Sequence, residues 1–70
     1  MTFEQACVEA VKKAREAGMI FYVFDAPNLW DVSPSYRHDW LFQAYPGGRK
    51  VLANETRLLA AGIESAARRE

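Results

Sequence analysis

Apolar residues at the start of the chain return at Phe3, Cys7, Ala10, Val11, Ala14 and Ala17. Those spacings of four, three, one, three and three form one stripe on a 3.6-residue helix. Thr2 to Gln5 has the form of a capping box, with Thr2 as N-cap and Gln5 three residues on. Glu4 and Glu9 lie toward the positive end of the helix dipole and Lys12, Lys13 and Arg15 toward the negative end. Glu9 and Lys13 stand at i and i+4 in the favourable order, and Gly18 suits a left-handed terminus. The pattern predicts a helix over Phe3 to Ala17.

The pattern then changes. Met19 to Phe24 is rich in aromatic and β-branched residues and reads as a strand, followed by turn residues Asp25, Ala26, Pro27 and Asn28. Leu29 to Val32 predicts a second strand, closed by Ser33-Pro34-Ser35. His38 to Tyr45 predicts a third, stopped by a tight reversal at Pro46-Gly47-Gly48. Arg49 to Leu52 is a short candidate fourth. Asn54 is a good N-cap with Glu55 in the first turn; Leu58, Leu59, Gly62, Ile63 and Ala66 then share one helical face, away from Arg57, Glu64 and Arg68. Gly62 inside that helix weakens it by roughly 1 kcal/mol relative to alanine, which close packing on the sheet would explain. The order α-β-β-β-(β)-α predicts a two-layer α+β domain over residues 1–70. Its three- to four-stranded antiparallel sheet carries the N- and C-terminal helices on one face.

A sheet covered on one side alternates apolar and polar residues. Trp40, Phe42 and Ala44 form the better core face of the third strand, and Trp30 and Val32 that of the second. The first strand is apolar on both sides. If Phe21 and Val23 face the helices, the far side holds Ile20, Tyr22, Phe24, Leu29, Leu41 and Tyr45, bordered by Asp31, Asp39 and Gln43. Aromatic rings present roughly 150–250 Å² each, and such a patch exceeds what monomers usually leave bare. Tyr22, Phe24, Leu29, Asp31, Asp39, Leu41, Gln43 and Tyr45 are therefore the candidate partner-binding residues. Three coverings fit that face: a foreign protein, a second copy in a homodimer, or the chain's own long second loop.

Composition narrows the chemistry. In 70 residues, half are apolar and nine basic side chains balance nine acidic ones. That excludes a disordered tail and argues against a strongly basic nucleic-acid module. A single cysteine makes neither an internal disulfide nor a cysteine zinc site, which suits an intracellular protein. The N-terminus has no basic cluster, and the longest apolar run, Met19 to Phe24, is far short of a membrane span. A cytoplasmic protein is expected.

Catalytic and ligand motifs are few. His38 and Asp39 would point to opposite faces of a strand, and no nucleophile elbow accompanies Ser33 or Ser35. Cys7 reads as a structural thiol. The aspartates lack calcium-loop spacing, and Gly47-Gly48-Arg49-Lys50 lacks the phosphate-loop pattern. No enzyme activity, cofactor, metal or small-molecule substrate is expected. Arg37, Arg49 and Lys50, interleaved with Tyr36, Trp40, Phe42 and Tyr45, carry the alternative of a small nucleic-acid-associated protein. The element order is similar to that of the double-stranded-RNA-binding fold. However, the second helix opens Asn54-Glu55-Thr56-Arg57-Leu58, without that family's lysine cluster.

In length and element order the chain resembles the small proteins of phages and mobile elements of the anti-CRISPR inhibitor kind. That resemblance implies a single non-catalytic domain that covers the surface of a host protein. On this expectation Tyr22, Leu41 and their neighbours dock, and Asp31, Asp39 and Gln43 fix register.

Overall fold

The structure of the protein, a computed structural model, describes residues 2–26 and 29–63. Helix α1 spans Phe3–Ala17, as its periodicity predicts. Its capping box is complete. The Gln5 amide donates to Thr2 Oγ1 (3.1 Å) and the Thr2 amide to Gln5 Oε1 (2.8 Å), so each satisfies a donor the other leaves open. Gly18, at φ 69°, ends the helix in the left-handed region. The helix sits on the sheet through Ala6, Ala10 and Ala14, all fully buried, with Phe3, Cys7 and Val11 half-buried beside them. Ala6 joins the stripe, whereas Ala17, in the last turn, is exposed. Methyl side chains at i, i+4 and i+8 let the helix axis approach the strands closely.

Four strands follow: β1 (Phe21–Ala26), β2 (Leu29–Ser33), β3 (Phe42–Ala44) and β4 (Lys50–Leu52). They pair antiparallel in the order β2-β1-β3-β4. Strand β1 runs two residues later than the expected Met19 to Phe24 and takes in Asp25 and Ala26, which the sequence places in the turn but which pair with Trp30 and Leu29. The other two expected turn residues, Pro27 and Asn28, lie outside the described residues. The reversal at Pro46 to Gly48 is present, with the Gly48 amide donating to Tyr45 O and the Tyr45 amide to Arg49 O, both at 2.9 Å. The third strand is shorter than expected. Arg37 to Trp40 forms a turn, in which the Trp40 amide donates to Arg37 O (3.2 Å), so His38 and Asp39 belong to a loop.

On the helix side the parity is as expected for β1, β2 and β3, except that Trp40, expected on the core face of the third strand, lies in the loop before it and packs with Leu41, Ala53 and Leu58. Val23, Phe42 and Ala44 are buried against α1, with Phe21, Trp30 and Val32 packed around them. Burying each large side chain contributes roughly 1.5–3 kcal/mol. The two helices share this face. Helix α1 lies across β1, β2 and β3, and Leu58 of α2 (Glu55–Ala60) packs in a second cluster with Leu41 and Ala53, against Phe3 and Trp30.

Helix α2 is shorter than the apolar pattern predicts. Asn54 caps it as expected, its Oδ1 accepting from the Arg57 amide at 2.9 Å. It closes at Ala60 because Gly62 takes φ 83°. The Ile63 amide then reaches Leu58 O and the Gly62 amide reaches Leu59 O, both at 2.9 Å. This is the Schellman arrangement, completed by Ile63 packing into the Leu58 cluster. Gly62 is thus a terminator, exposed to solvent, and not a helix-interior residue packed on the sheet. The expected positions of Glu64, Ala66 and Arg68 lie outside the described residues.

Candidate functional site

The far face of the sheet is closed. Tyr22 is 9% exposed, Phe24 1% and Leu41 4%, so these three candidate docking residues are core. Two causes account for this. First, the loop after β2 folds back over the face. The Tyr36 ring meets Tyr22 edge-on at 5.6 Å, Tyr22 stacks on Phe24 at 6.1 Å, and the Arg37 guanidinium lies 4.2 Å above the Phe24 ring. Second, Leu41 does not follow strand parity. Its amide donates to Val23 O (2.8 Å), yet the register partner of Val23 is Phe42. Two consecutive residues oppose one, the arrangement of a β-bulge. Leu41 consequently packs with Ala53 and Leu58.

Two of the three polar members of the expected rim, Asp39 and Gln43, are also engaged within the chain. Asp39 accepts two hydrogen bonds from Arg37, at 3.2 and 3.0 Å. Hydrogen bonding to Arg37 holds the Asp39 carboxyl below its ordinary range. The reciprocal bond, with the charges of Asp39 and Asp31, keeps Arg37 protonated above its usual value. Gln43 accepts from the Tyr45 hydroxyl at 2.9 Å, and Arg49 lies 5.1 Å over the Tyr45 ring. Of the eight candidates, only Leu29 is a large apolar side chain left exposed. The structure does not gather the three cations of the nucleic-acid alternative. Arg37 covers Phe24 on the far face, Arg49 covers Tyr45, and Lys50 pairs with Ala44 and lines the helix side.

Among the described residues, the open apolar surface lies on the helix side. Helix α1 spans three strands and leaves β4 uncovered, so a groove of about 1170 Å³ runs between α1 and α2. Phe42 and Leu52, register partners on β3 and β4, form its floor. Cys7, Val8 and Val11 form the α1 wall, and Leu58 and Ile63 the opposite one. Val8 is 68% exposed and Leu52 50%. Local periodicity does not point to this surface, because Val8 and Leu52 lie far apart in sequence and share a groove only once α1 is packed on the sheet. The signal available was Val8, an apolar residue off the buried stripe of α1.

The ends of the groove differ in charge. Glu4 lies at the α1 N-terminal end. Lys12, Arg15 and Lys50, with Glu16 among them, lie at the other. There Arg15 reaches the β3–β4 turn, its Nη2 3.4 Å from where a side chain on Gly48 would begin. Cys7 is held as a neutral thiol, pushed up to about 12 by burial and secondarily by the charge of Glu4. Behind α2, Arg57 donates to the carbonyls of His38 and Trp40 and lies 5.0 Å over the Trp40 ring, tying the helix to the loop.

Among the described residues, no helix is long and apolar enough to cross a membrane and no cluster of three or more His, Cys, Asp or Glu could hold a metal. No protein-family model matches the chain, and no curated protein or solved structure matches it either.

Proposed function

We propose that this chain is a non-catalytic protein-binding domain and that its partner docks in the helix-side groove. One observation carries the reading: the closed far face leaves the apolar channel between α1 and α2, with Val8 and Leu52 open to solvent, as the surface an outside molecule can cover. Its occupant is an amphipathic segment of a partner protein. Apolar side chains at helical spacing meet Phe42, Leu52 and Val11, and carboxylates at one end meet Lys12, Arg15 and Lys50. Binding acts by occupying surface. An inhibitor of the phage type, covering a host protein, is the specific form this takes. The raised Cys7 thiol supports a non-catalytic role, because a neutral thiol is a poor nucleophile.

The test is selection from a displayed library of random peptides on the immobilised domain, counter-screened on Leu52→Glu. Enrichment of peptides with apolar positions at i, i+3 or i+4 and i+7 and an acidic end, lost on the variant, is the expected result. No enrichment, or equal capture by the variant, overturns the groove as a docking site.

A further inference from the structure

We infer that the α1 wall of the groove pairs with the same wall of a second copy, the two helices antiparallel across a twofold axis. This rests on reading the helix-side groove as a protein-docking surface, and it names one partner for that surface.

The argument starts from spacing. Glu4, Val8, Val11 and Arg15 all line the groove and follow one another at intervals of four, three and four. At about 100° per residue they fall within an arc of roughly 60° on the helix, flanking the Ala6–Ala10–Ala14 stripe, with Val11 half-buried at the edge nearest it and Val8 farther out and exposed. That interval is the one by which one helix meets another along a narrow seam. Reversing the helix exchanges Glu4 with Arg15 and Val8 with Val11. An antiparallel copy therefore sets each carboxylate against a guanidinium and each valine against a valine. A twofold contact demands this self-complementarity.

Three further features agree. Antiparallel packing places the positive end of each helix dipole beside the negative end of its neighbour. The chain's formal net charge is zero, so two copies approach without overall repulsion. Val8 is the most exposed large apolar residue of the described chain and sits near the middle of the seam. Four side chains on a helix of 15 residues form a small contact. The dimer belongs to the weak class of interfaces, associating as concentration rises.

Sedimentation equilibrium of the whole chain from about 10 μM to about 1 mM tests this. The expected mass rises from monomer to dimer across that range. Glu4→Lys and Arg15→Glu each set like charges together twice and should weaken association at least tenfold, as should Val8→Glu. An equimolar mixture of Glu4→Lys and Arg15→Glu restores both opposite-charge pairs and should form a heterodimer, although neither variant dimerises alone. Circular dichroism establishes that each variant is folded, and Val8→Glu serves if a charge variant is not.

A wild-type chain that stays monomeric throughout, a dimer indifferent to these changes, or a mixture that fails to associate overturns the inference. Monomeric protein that still selects peptides leaves the groove reading standing. A charge-sensitive dimer that selects none removes the foreign partner and keeps the second copy.

Discussion

The guanidinium carbon of Arg37 lies 4.2 Å from the centroid of the Phe24 ring. This contact turns an apolar strand face into an interior. Asp39 holds the guanidinium in place, and Phe24 is left 1% exposed beneath it. The ring's electrons attract the cation above them, and the arginine stem adds its own cover. Arg37→Ala should lower the urea midpoint, with Tyr22 fluorescence becoming more quenchable by acrylamide. Unchanged stability and quenching would show that the loop does not seal the face.

The same contact predicts a pH response. Hydrogen bonding to Arg37 depresses the Asp39 carboxyl in the folded chain relative to its ordinary value of 3.8. A depressed carboxyl favours the fold above its unfolded value, and that contribution disappears as pH falls through the folded one. The loop should therefore loosen below about pH 4, and not between pH 5 and 8. Carboxyl-carbon NMR titration should place Asp39 below a peptide aspartate, and Arg37→Ala should return it. A normal titration in the unaltered chain would contradict the bidentate pair.

Cys7 has the opposite sign. Burial, then Glu4, raises its thiol to about 12 from 9.0, so the folded chain favours the neutral form. Its contribution is fully present below about pH 9 and is lost as pH climbs toward 12. At pH 8 a disulfide reagent should modify Cys7 far more slowly in the native chain than in urea. Glu4→Gln, which removes the secondary cause, should speed the native reaction modestly. Equal rates in native and unfolded protein would place the thiol outside the groove wall.

Arg57 joins α2 to the loop ahead of β3 through the carbonyls of His38 and Trp40 and the Trp40 ring. Hydrogen bonds from charged donors contribute about 1.5–3 kcal/mol, and partial exposure places this pair at the lower end. Arg57→Ala should cost about 1–2 kcal/mol and increase amide exchange at Trp40. Arg57→Lys should recover only part of this, because an ammonium cannot present the same planar fork to two carbonyls and a ring. Full rescue by lysine would show that charge alone matters there.

These contacts mark where the sequence was legible. The α1 boundaries, both N-caps, the antiparallel sheet and the inward set Phe21, Val23, Trp30, Val32, Phe42 and Ala44 follow from local periodicity and turn chemistry. What failed was non-local. Nothing in the pattern around Arg37 says that it returns to cover Phe24. Nothing around Leu41 announces the extra residue that lifts it out of strand parity. Arg57 looked like a solvated helix residue because its acceptors lie 17 and 19 positions earlier. The candidate docking face moved from one side of the sheet to the other for these reasons, and because β3 begins only at Phe42, which leaves Asp39 and Leu41 outside the strand whose parity was applied to them.

Gly62 separates the two views by sign. In the interior of a longer helix, Gly62→Ala would stabilise the chain by about 1 kcal/mol, because alanine is the better helix former. In the structure Gly62 holds φ 83° as the terminator of α2, with nothing within 4 Å of a side chain built there. The space is open, so the cost is backbone strain alone. Alanine in the left-handed region loses roughly 1–2 kcal/mol. Gly62→Ala should therefore destabilise the chain by about 1 kcal/mol, and Gly62→Asn by less, since asparagine tolerates that conformation. Thermal or urea unfolding of the two variants checks this. A more stable alanine variant would mean that α2 runs through Gly62 and that Ile63 does not close back on Leu58.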